Sequence, residues 1–315
     1  MDGIVLIGFG NQGCAWAQNL RDQGREVVVA LREGSQSKAQ AQALGFSVIS
    51  LDCEQDQKEL ASFSTILLLL PDHTHTTFLQ TYGKHFASGA RIIYAHGFSR
   101  CSQKSTAVDH FHHLLLAPKA IASELRAIFL QKEGVLGAVY ALDRTPHFTE
   151  EEIECDRQFL IELAHDIGIN VGPFESSFSD ECRADLFSEQ SLLCSLLPYA
   201  AKESFELLVS KGISPELAYF ECWYELKLIA NTMVEMGPQK FFELISPNAL
   251  VGGLKGRREL LGKEFRNSLQ KLWNDIDSGN FSQEAAATDI EACRKEIASE
   301  WNSSLLQQLH DRFLA

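Results

Sequence analysis

The chain has 315 residues, more than one compact core usually holds, so two domains are expected. Its 45% apolar and 22% charged residues describe an ordinary globular protein, neither disordered nor fibrous. Against 42 Asp+Glu stand only 28 Lys+Arg, and the net charge of −14 has the wrong sign for gripping a nucleic-acid backbone.

Met1-Asp2-Gly3 leads straight into Ile4-Val5-Leu6-Ile7, without the basic start and small-residue cleavage site of a signal peptide, and a cytoplasmic location is expected. Short aliphatic runs at 4–8, 26–31, 46–49, 65–70, 91–95, 114–117 and 135–140 alternate with helix-like stretches. Runs apolar on both faces predict a parallel sheet covered by helices on each side, the doubly wound α/β class. The longest of them, Ile66 to Leu70, stops at Pro71, far short of the ~20 residues that cross a bilayer. From about Glu150 the strand signals fade and helical periods run to Ala315. The shift near Gly172-Pro173 divides the chain into residues 1–172, an α/β domain, and 173–315, an all-α domain.

The cysteines at 14, 53, 101, 155, 182, 194, 222 and 293 form no CxxC pair, and are expected to be free thiols, mostly buried. His110, His112 and His113 have no carboxylate or cysteine at ligand spacing, which predicts a solvated loop rather than a metal site.

Gly8-Phe9-Gly10-Asn11-Gln12-Gly13 fits GxGxxG and follows the first strand while opening a helix. There the small residues let the backbone approach a pyrophosphate, whose charge meets the free N–H groups of the helix, so a Rossmann-like dinucleotide site is expected. The second strand ends in Arg32-Glu33-Gly34-Ser35-Gln36-Ser37-Lys38. A guanidinium from Arg32 with the hydroxyls of Ser35 and Ser37 suits a 2′-phosphate and favours NADP. Glu33 would instead serve NAD, and either serine could simply cap a helix.

Two segments carry acids one helical turn apart, Asp185 with Glu189 and Glu221 with Glu225. Exposed pairs of this kind mean little. Here Leu186, Phe187, Leu192, Leu193 and Cys194 surround the first pair, and Phe220, Cys222, Trp223, Tyr224, Leu226, Leu228 and Ile229 the second. Such neighbours predict burial, and buried carboxylates must be paired, protonated or metal-bound. Four oxygen-ligand acids would balance two magnesium ions, although spacing alone leaves a structural role open.

With these strings in view, the chain resembles the short-chain form of ketol-acid reductoisomerase, also called acetohydroxyacid isomeroreductase. The resemblance runs from Ile4 to about Gln283. It is carried by the string from Ile7 to Gly13, Leu20-Arg-Asp22, the strand and loop from Val27 to Ser35, Leu69-Leu-Pro-Asp72, Ala95-His-Gly-Phe98, Ala117-Pro-Lys119, the string from Asp185 to Gln190 and that from Ala218 to Ile229. It implies a magnesium-dependent alkyl migration in acetolactate or acetohydroxybutyrate, then reduction by NADPH to the dihydroxy acid, in valine and isoleucine biosynthesis. By motif it makes Asp185, Glu189, Glu221 and Glu225 the ligands of two magnesium ions, with Glu225 or Glu221 also moving a proton. It gives His96 and Lys119 catalytic or cofactor-site roles and Ser246 a hold on substrate. It lines the cofactor with Gly8, Phe9, Gly10, Asn11, Gln12, Gly13, Asp72, His73, Thr74, His75 and Ala122, and puts Arg32, Ser35 and Ser37 on its 2′-phosphate. It also implies a homodimer or higher homo-oligomer, joined through the helical half. Without it, His96 reads as a turn histidine and Ser246 as an N-cap before Pro247.

The sequence departs from the family in three places. Lys119 is followed by Ala120-Ile121-Ala122-Ser123 where the family has Gly-Pro-Gly, Cys194 by Ser195-Leu196 in place of two glycines, and Ser246 by Pro247-Asn-Ala-Leu-Val-Gly-Gly in place of a Glu-Tyr-Gly string. These departures motivate two alternatives, a non-catalytic NADP-binding relic and a hydroxy-acid dehydrogenase without isomerase activity. The acid quartet argues against both, because neither needs it.

Overall fold

A computed structural model describes residues 3–102, 110–143 and 148–314, and the chain divides into two compact units, Met1–Arg183 and Ala184–Ala315. In the first, eight strands form one sheet: β1 (Ile4–Ile7), β2 (Val27–Leu31), β3 (Ser47–Ser50), β4 (Thr65–Leu68), β5 (Arg91–Tyr94), β6 (His112–Pro118), β7 (Gly137–Leu142) and β8 (Val171–Glu175). Between them run α1 (Asn11–Asp22), α2 (Ser37–Ala43), α3 (Glu54–Glu59), α4 (His75–Tyr82), α5 (Phe98–Ser102), α6 (Ala122–Gln131) and α7 (Glu150–Asp166), and α8 (Phe178–Ser188) follows β8.

The spatial order is β3-β2-β1-β4-β5-β6-β7-β8, parallel from β3 to β6. Alternation along β1 shows why helices cover both faces. Ile4 and Leu6 join one core with Trp16, Leu20, Leu125 and Leu160 from α1, α6 and α7, while Val5 and Ile7 join a second with Leu60, Phe78 and Leu79. Chain order reverses between β1 and β4, and the crevice at such a reversal is where doubly wound sheets take ligands.

All seven expected strands are present. The sheet is parallel as expected except that β7 runs antiparallel to β6, a direction that an apolar run does not carry. The eighth strand, β8, lies at the sheet edge with Val171 and Phe174 exposed, and Gly172 and Pro173 erase its sequence signal. Gly172-Pro173, the expected boundary, therefore sits inside this sheet, and the units divide further on, within α8.

His112 and His113 are not in a solvated loop. Both are buried in β6: His113 Nδ1 is hydrogen-bonded to Tyr94 Oη at 3.0 Å, and His112 meets Asp156 of α7, which also accepts from Arg91 Nε at 2.7 Å. The cysteines are free among the described residues, but only Cys182 is buried. Cys53, Cys101, Cys155 and Cys194 are exposed, and the remaining three are half-buried. No described helix is long and apolar enough to cross a membrane.

The second unit is helical: α9 (Leu196–Ser210), α10 (Pro215–Tyr219), α11 (Glu225–Leu244), α12 (Pro247–Leu260), α13 (Lys263–Asp277), α14 (Asn280–Ala287), α15 (Ile290–Trp301) and α16 (Leu305–Leu314). Its small core gathers Phe205, Ala218, Tyr219, Leu306 and Leu309, with Trp223, Trp301 and Phe313 against them. Within α11, Gly237 at φ +74° precedes Pro238 and kinks the helix.

Candidate active site

The turn after β1 is built for close approach. Gly8 sits at φ +91°, and a Cβ there would lie 2.9 Å from Leu69 O, on the neighbouring β4 connection. At Gly13 a Cβ would meet Gly8 O at 2.5 Å, so the first turn of α1 packs directly on the strand end. A Cβ on Gly10 would meet nothing within 4 Å, which leaves the mouth of the turn open. Gln12 Nε2 donates to Ala120 O at 3.3 Å, tying this turn to the loop after β6, while Gln12 Oε1 is buried without a hydrogen-bond partner among the described residues. An orphaned acceptor beside a glycine cradle suits a polar ligand. Phe9 does not face that mouth: its ring is buried in the core and packs edge-on against Phe46 at 5.6 Å, so only its backbone remains for a cofactor. Asn11, the first residue of α1, is exposed at the mouth.

Past β2, Arg32 is exposed and Ser35 and Ser37 are half-buried, and Arg32 makes no ion pair among the described residues. No side chain caps α2, so neither serine serves the helix-capping role that the sequence left open. The opposing acid is engaged: Lys38 Nζ lies 3.2 Å from Glu33, and Ser50 Oγ donates to Glu33 Oε2 at 3.3 Å. Asp52, which the sequence analysis did not single out, accepts Glu33 N–H at 2.6 Å and Tyr82 O–H at 3.4 Å. Burial and Asp52 push the Tyr82 phenol up, while Arg32 pulls it down, placing the guanidinium near the same rim.

Three successive parallel strands then deliver a polar group each at their C-terminal ends, Asp72 after β4, His96 after β5 and Lys119 after β6. Glu181 of α8 joins them. Its Oε2 accepts Gly97 N–H at 2.7 Å, its Oε1 accepts from Lys119 Nζ at 2.5 Å, and His96 Nε2 lies 3.8 Å away. On the other side His96 Nδ1 is 3.8 Å from Asp72 Oδ2. The Glu181 side chain is 1% exposed and that of Lys119 is 39% exposed, so a buried anion aims a cation that reaches solvent. Gly97 is required here, because a Cβ would fall 2.3 Å from Phe178 O.

The turn from Asp72 to His75 divides in role. His73 is exposed, Thr74 Oγ1 donates to Pro71 O at 2.7 Å, and Asp72 Oδ1 is buried without a hydrogen-bond partner among the described residues. His75 is buried, with Nε2 2.9 Å from Leu70 O and Nδ1 2.9 Å from Ser99 Oγ, which fits a neutral ring donating to the carbonyl and accepting from the hydroxyl. Burial pulls its pKa down, and its contacts tie the turn after β4 to α5. Ala122 starts α6, half-buried, beside an Ile121 that is 69% exposed.

In the second unit the acid pairs sit at interruptions of the α-helical ladder. Glu189 opens a π-helical turn, Glu189–Leu193, in which its backbone carbonyl accepts Cys194 N–H at 3.0 Å; Glu221 lies in a second such turn, Phe220–Tyr224, directly before Glu225. Both turns pack on α9, and such turns recur at functional sites. The expected burial is corrected: Asp185 is half-buried, and Glu189, Glu221 and Glu225 are exposed. Among the described residues no three of these four acids bring ligand atoms within 4.8 Å of one another. Their apolar neighbours Leu192, Leu193, Phe220 and Leu228 are exposed too, so among the described residues the apolar cover expected from sequence is not formed around them. Ser246 caps α12, its hydroxyl accepting Ala249 N–H at 3.2 Å.

A doubly wound sheet with a glycine cradle at its reversal point, flanked by polar groups at the next strand ends, defines a dinucleotide-dependent oxidoreductase. Two family models match the chain, "Acetohydroxy acid isomeroreductase, NADPH-binding domain" at residues 2–153 and "Ketol-acid reductoisomerase, C-terminal domain" at 178–310. The chain therefore belongs to the ketol-acid reductoisomerase family. It is 31% identical over 304 residues to the ketol-acid reductoisomerase (NADP(+)) of Tremblaya princeps, covering 93% of this chain and 88% of the relative. An NADH-preferring ketol-acid reductoisomerase from an uncultured archean superposes with a TM-score of 0.87 at 25% identity, covering 100% of this chain and 95% of that one. More distantly, the NADP-bound pyrroline carboxylate reductase of Plasmodium falciparum shares the fold, with a TM-score of 0.54 at 13% identity over 87% and 98% of the two chains.

Proposed function

We propose that this chain is a magnesium-dependent ketol-acid reductoisomerase. It would shift the alkyl group of acetolactate or acetohydroxybutyrate and reduce the resulting keto acid with NADPH, within valine and isoleucine biosynthesis. The observation that carries the reading is the Glu181 carboxylate, which joins Lys119, Gly97 N–H and His96 beside the dinucleotide cradle.

The residues present fit the cofactor. The Gly8 to Gly13 backbone would take the pyrophosphate, and exposed Arg32 with half-buried Ser35 and Ser37 would supply donors for a 2′-phosphate. Glu33, already engaged by Lys38 and Ser50, is less suited to hold a free ribose hydroxyl. Asp72, His96 and Lys119 would face the nicotinamide end and the substrate, and Lys119, held by Glu181, would hold a substrate oxygen in one orientation.

Asp185, Glu189, Glu221 and Glu225 would hold two magnesium ions, an oxygen-only donor set of four negative charges. Bound there, the ions would acidify the substrate hydroxyl and polarise its ketone. Glu225 or Glu221 would move the proton, and Ser246 would contact substrate. The quartet is completed on assembly as a homodimer or larger homo-oligomer. In one chain α11 and α12 leave Met233, Val234, Phe242, Leu250, Val251 and Leu260 exposed, the two extremes 83% at Val234 and 36% at Leu250. An apolar face that large next to uncovered acids is what an obligate interface hides.

The test is NADPH oxidation with 2-acetolactate, with and without magnesium. Turnover that requires the ion is expected. NADPH binding without turnover in either condition would overturn the reading.

A further inference from the structure

Two of the eight cysteines meet beside the site just described. Gly97 and Phe178 bring the starts of α5 and α8 into backbone contact, with the Cβ position on Gly97 only 2.3 Å from Phe178 O. One helical turn further along each element, four residues in both cases, stand Cys101 and Cys182. The two thiols lie close enough for each to act on the other's titration. Cys101 is exposed and Cys182 is buried, so one sulfur is open to a small solute and the other waits behind it. The elements that carry them are held in place by the bond from Gly97 N–H to Glu181 and by Cys101 N–H donating to Gly97 O at 3.1 Å.

We propose that Cys101 and Cys182 are a peroxide-reactive dithiol, and that its closure to a disulfide slows the enzyme by displacing Glu181. The Cys182 thiol beside it holds Cys101 below the ordinary thiol value, with Arg183 and His96 adding to the effect against burial and Glu181, whereas Cys182 is held up. Cys101 is therefore the attacking thiolate and Cys182 the resolving thiol. In the first step the Cys101 sulfur attacks one peroxide oxygen. An S–O bond forms, the O–O bond breaks, and the departing hydroxide takes a proton to become water. In the second step the Cys182 sulfur attacks the Cys101 sulfenic acid. The S–S bond forms, the S–O bond breaks, and the hydroxyl leaves with the Cys182 proton as a second water. Two thiols lose two electrons in all, and the peroxide gains them. Bonded sulfurs stand ~2.05 Å apart, closer than two thiols in contact, so closing the bond draws the Cys101 and Cys182 side chains together and pulls on the turns of α5 and α8 that carry them. Glu181 immediately precedes Cys182 and positions Lys119, and displacements of about 1 Å in a positioning group cost up to about 100-fold in rate.

The cross-link is independent of the functional reading, whereas the loss of rate rests on it, and the experiment separates them. The full-length protein is treated with hydrogen peroxide, then mapped by mass spectrometry without reduction and assayed with NADPH, magnesium and 2-acetolactate. A linked peptide joining Cys101 to Cys182, lighter by two hydrogens, is expected, together with a fall in rate of about ten-fold or more that dithiothreitol reverses. Cys101→Ser, at an exposed position, removes the linked peptide and keeps its rate under peroxide. Absence of the linked peptide, oxidation of Cys101 alone to the sulfinic acid, or equal inactivation of Cys101→Ser would overturn the proposal. An untreated protein without turnover that still forms the linked peptide would refute the functional reading and leave the dithiol standing.

Discussion

Replacing Glu181 separates the two jobs its carboxylate performs. Glu181→Gln keeps an oxygen that can accept Gly97 N–H, now 2.7 Å away, but removes the charge that pairs with Lys119. Because the Lys119 side chain is 39% exposed, that pair is partly screened, and its loss should cost about 1–2 kcal/mol. Glu181→Ala also strands the Gly97 N–H in a buried position, adding about 1–3 kcal/mol for an unsatisfied donor. Urea unfolding of the protein without cofactor should therefore rank wild type above Glu181→Gln and Glu181→Ala last, with unchanged slope. In steady-state assays both variants should lose about ten-fold or more in kcat with little change in NADPH affinity, since Lys119 loses its anchor while the glycine cradle is untouched. An alanine variant as stable as the glutamine variant would refute the role assigned to the Gly97 bond. Unchanged kcat in both would refute the role assigned to Lys119.

Arg32→Asp should lower the preference for NADPH over NADH, read as a ratio of kcat/KM, by about 10–100-fold, the worth of one or two charge-assisted hydrogen bonds. A wild-type protein equally efficient with both cofactors would contradict the roles given to Arg32, Ser35 and Ser37. Asp185→Asn should cut isomerisation by about 100-fold or more while leaving NADPH titration by fluorescence unchanged, with reduction of an already isomerised keto acid falling less steeply. His75 is held neutral, its pKa pulled below the ordinary 6.5 by burial. The unfolded chain then binds more protons, so the His75 contribution is fully present above pH 6.5 and is lost as pH falls through that value toward the lower folded one. Thermal unfolding from pH 8 to 5 should show that slope, reduced in His75→Gln. Light scattering at micromolar concentration should find a dimer or larger species, and a fully active monomer would contradict the shared acid site.

The central sheet is legible because strands buried on both faces read as unbroken aliphatic runs, as at Ile4 to Ile7 and Ile66 to Leu68. Direction is not encoded in such a run, which is why β7 is unexpectedly antiparallel, and an exposed edge strand with Gly172 and Pro173 carries no run at all. The glycine cradle is legible because its spacing is local. Glu181 is not singled out from sequence because Asp180 and Glu181 stand in the first turn of a helix, where acids are favoured for the dipole alone. A usable signal was its place one turn before Asp185, which lines up acids at 181, 185 and 189 on one helix face. His112 reads as a loop residue because its partner Asp156 lies 44 positions away, beyond any local search for a counter-ion. The acids of α8 and α11 read as buried because apolar neighbours normally mean burial within the same chain. Here Phe220, Leu228 and Ile229 remain exposed, because apolar neighbours in sequence record a helix's composition and not whether another element packs on that face.

Migration before reduction is the central claim, and carbon-13 NMR of the product tests it directly. Turnover of 2-acetolactate labelled in the C2 methyl group, with magnesium and NADPH, should give 2,3-dihydroxy-3-methylbutanoate with the label in a methyl on C3. A product that keeps the labelled methyl on C2, reduced at C3 without rearrangement, would contradict the account and make the chain a simple hydroxy-acid dehydrogenase.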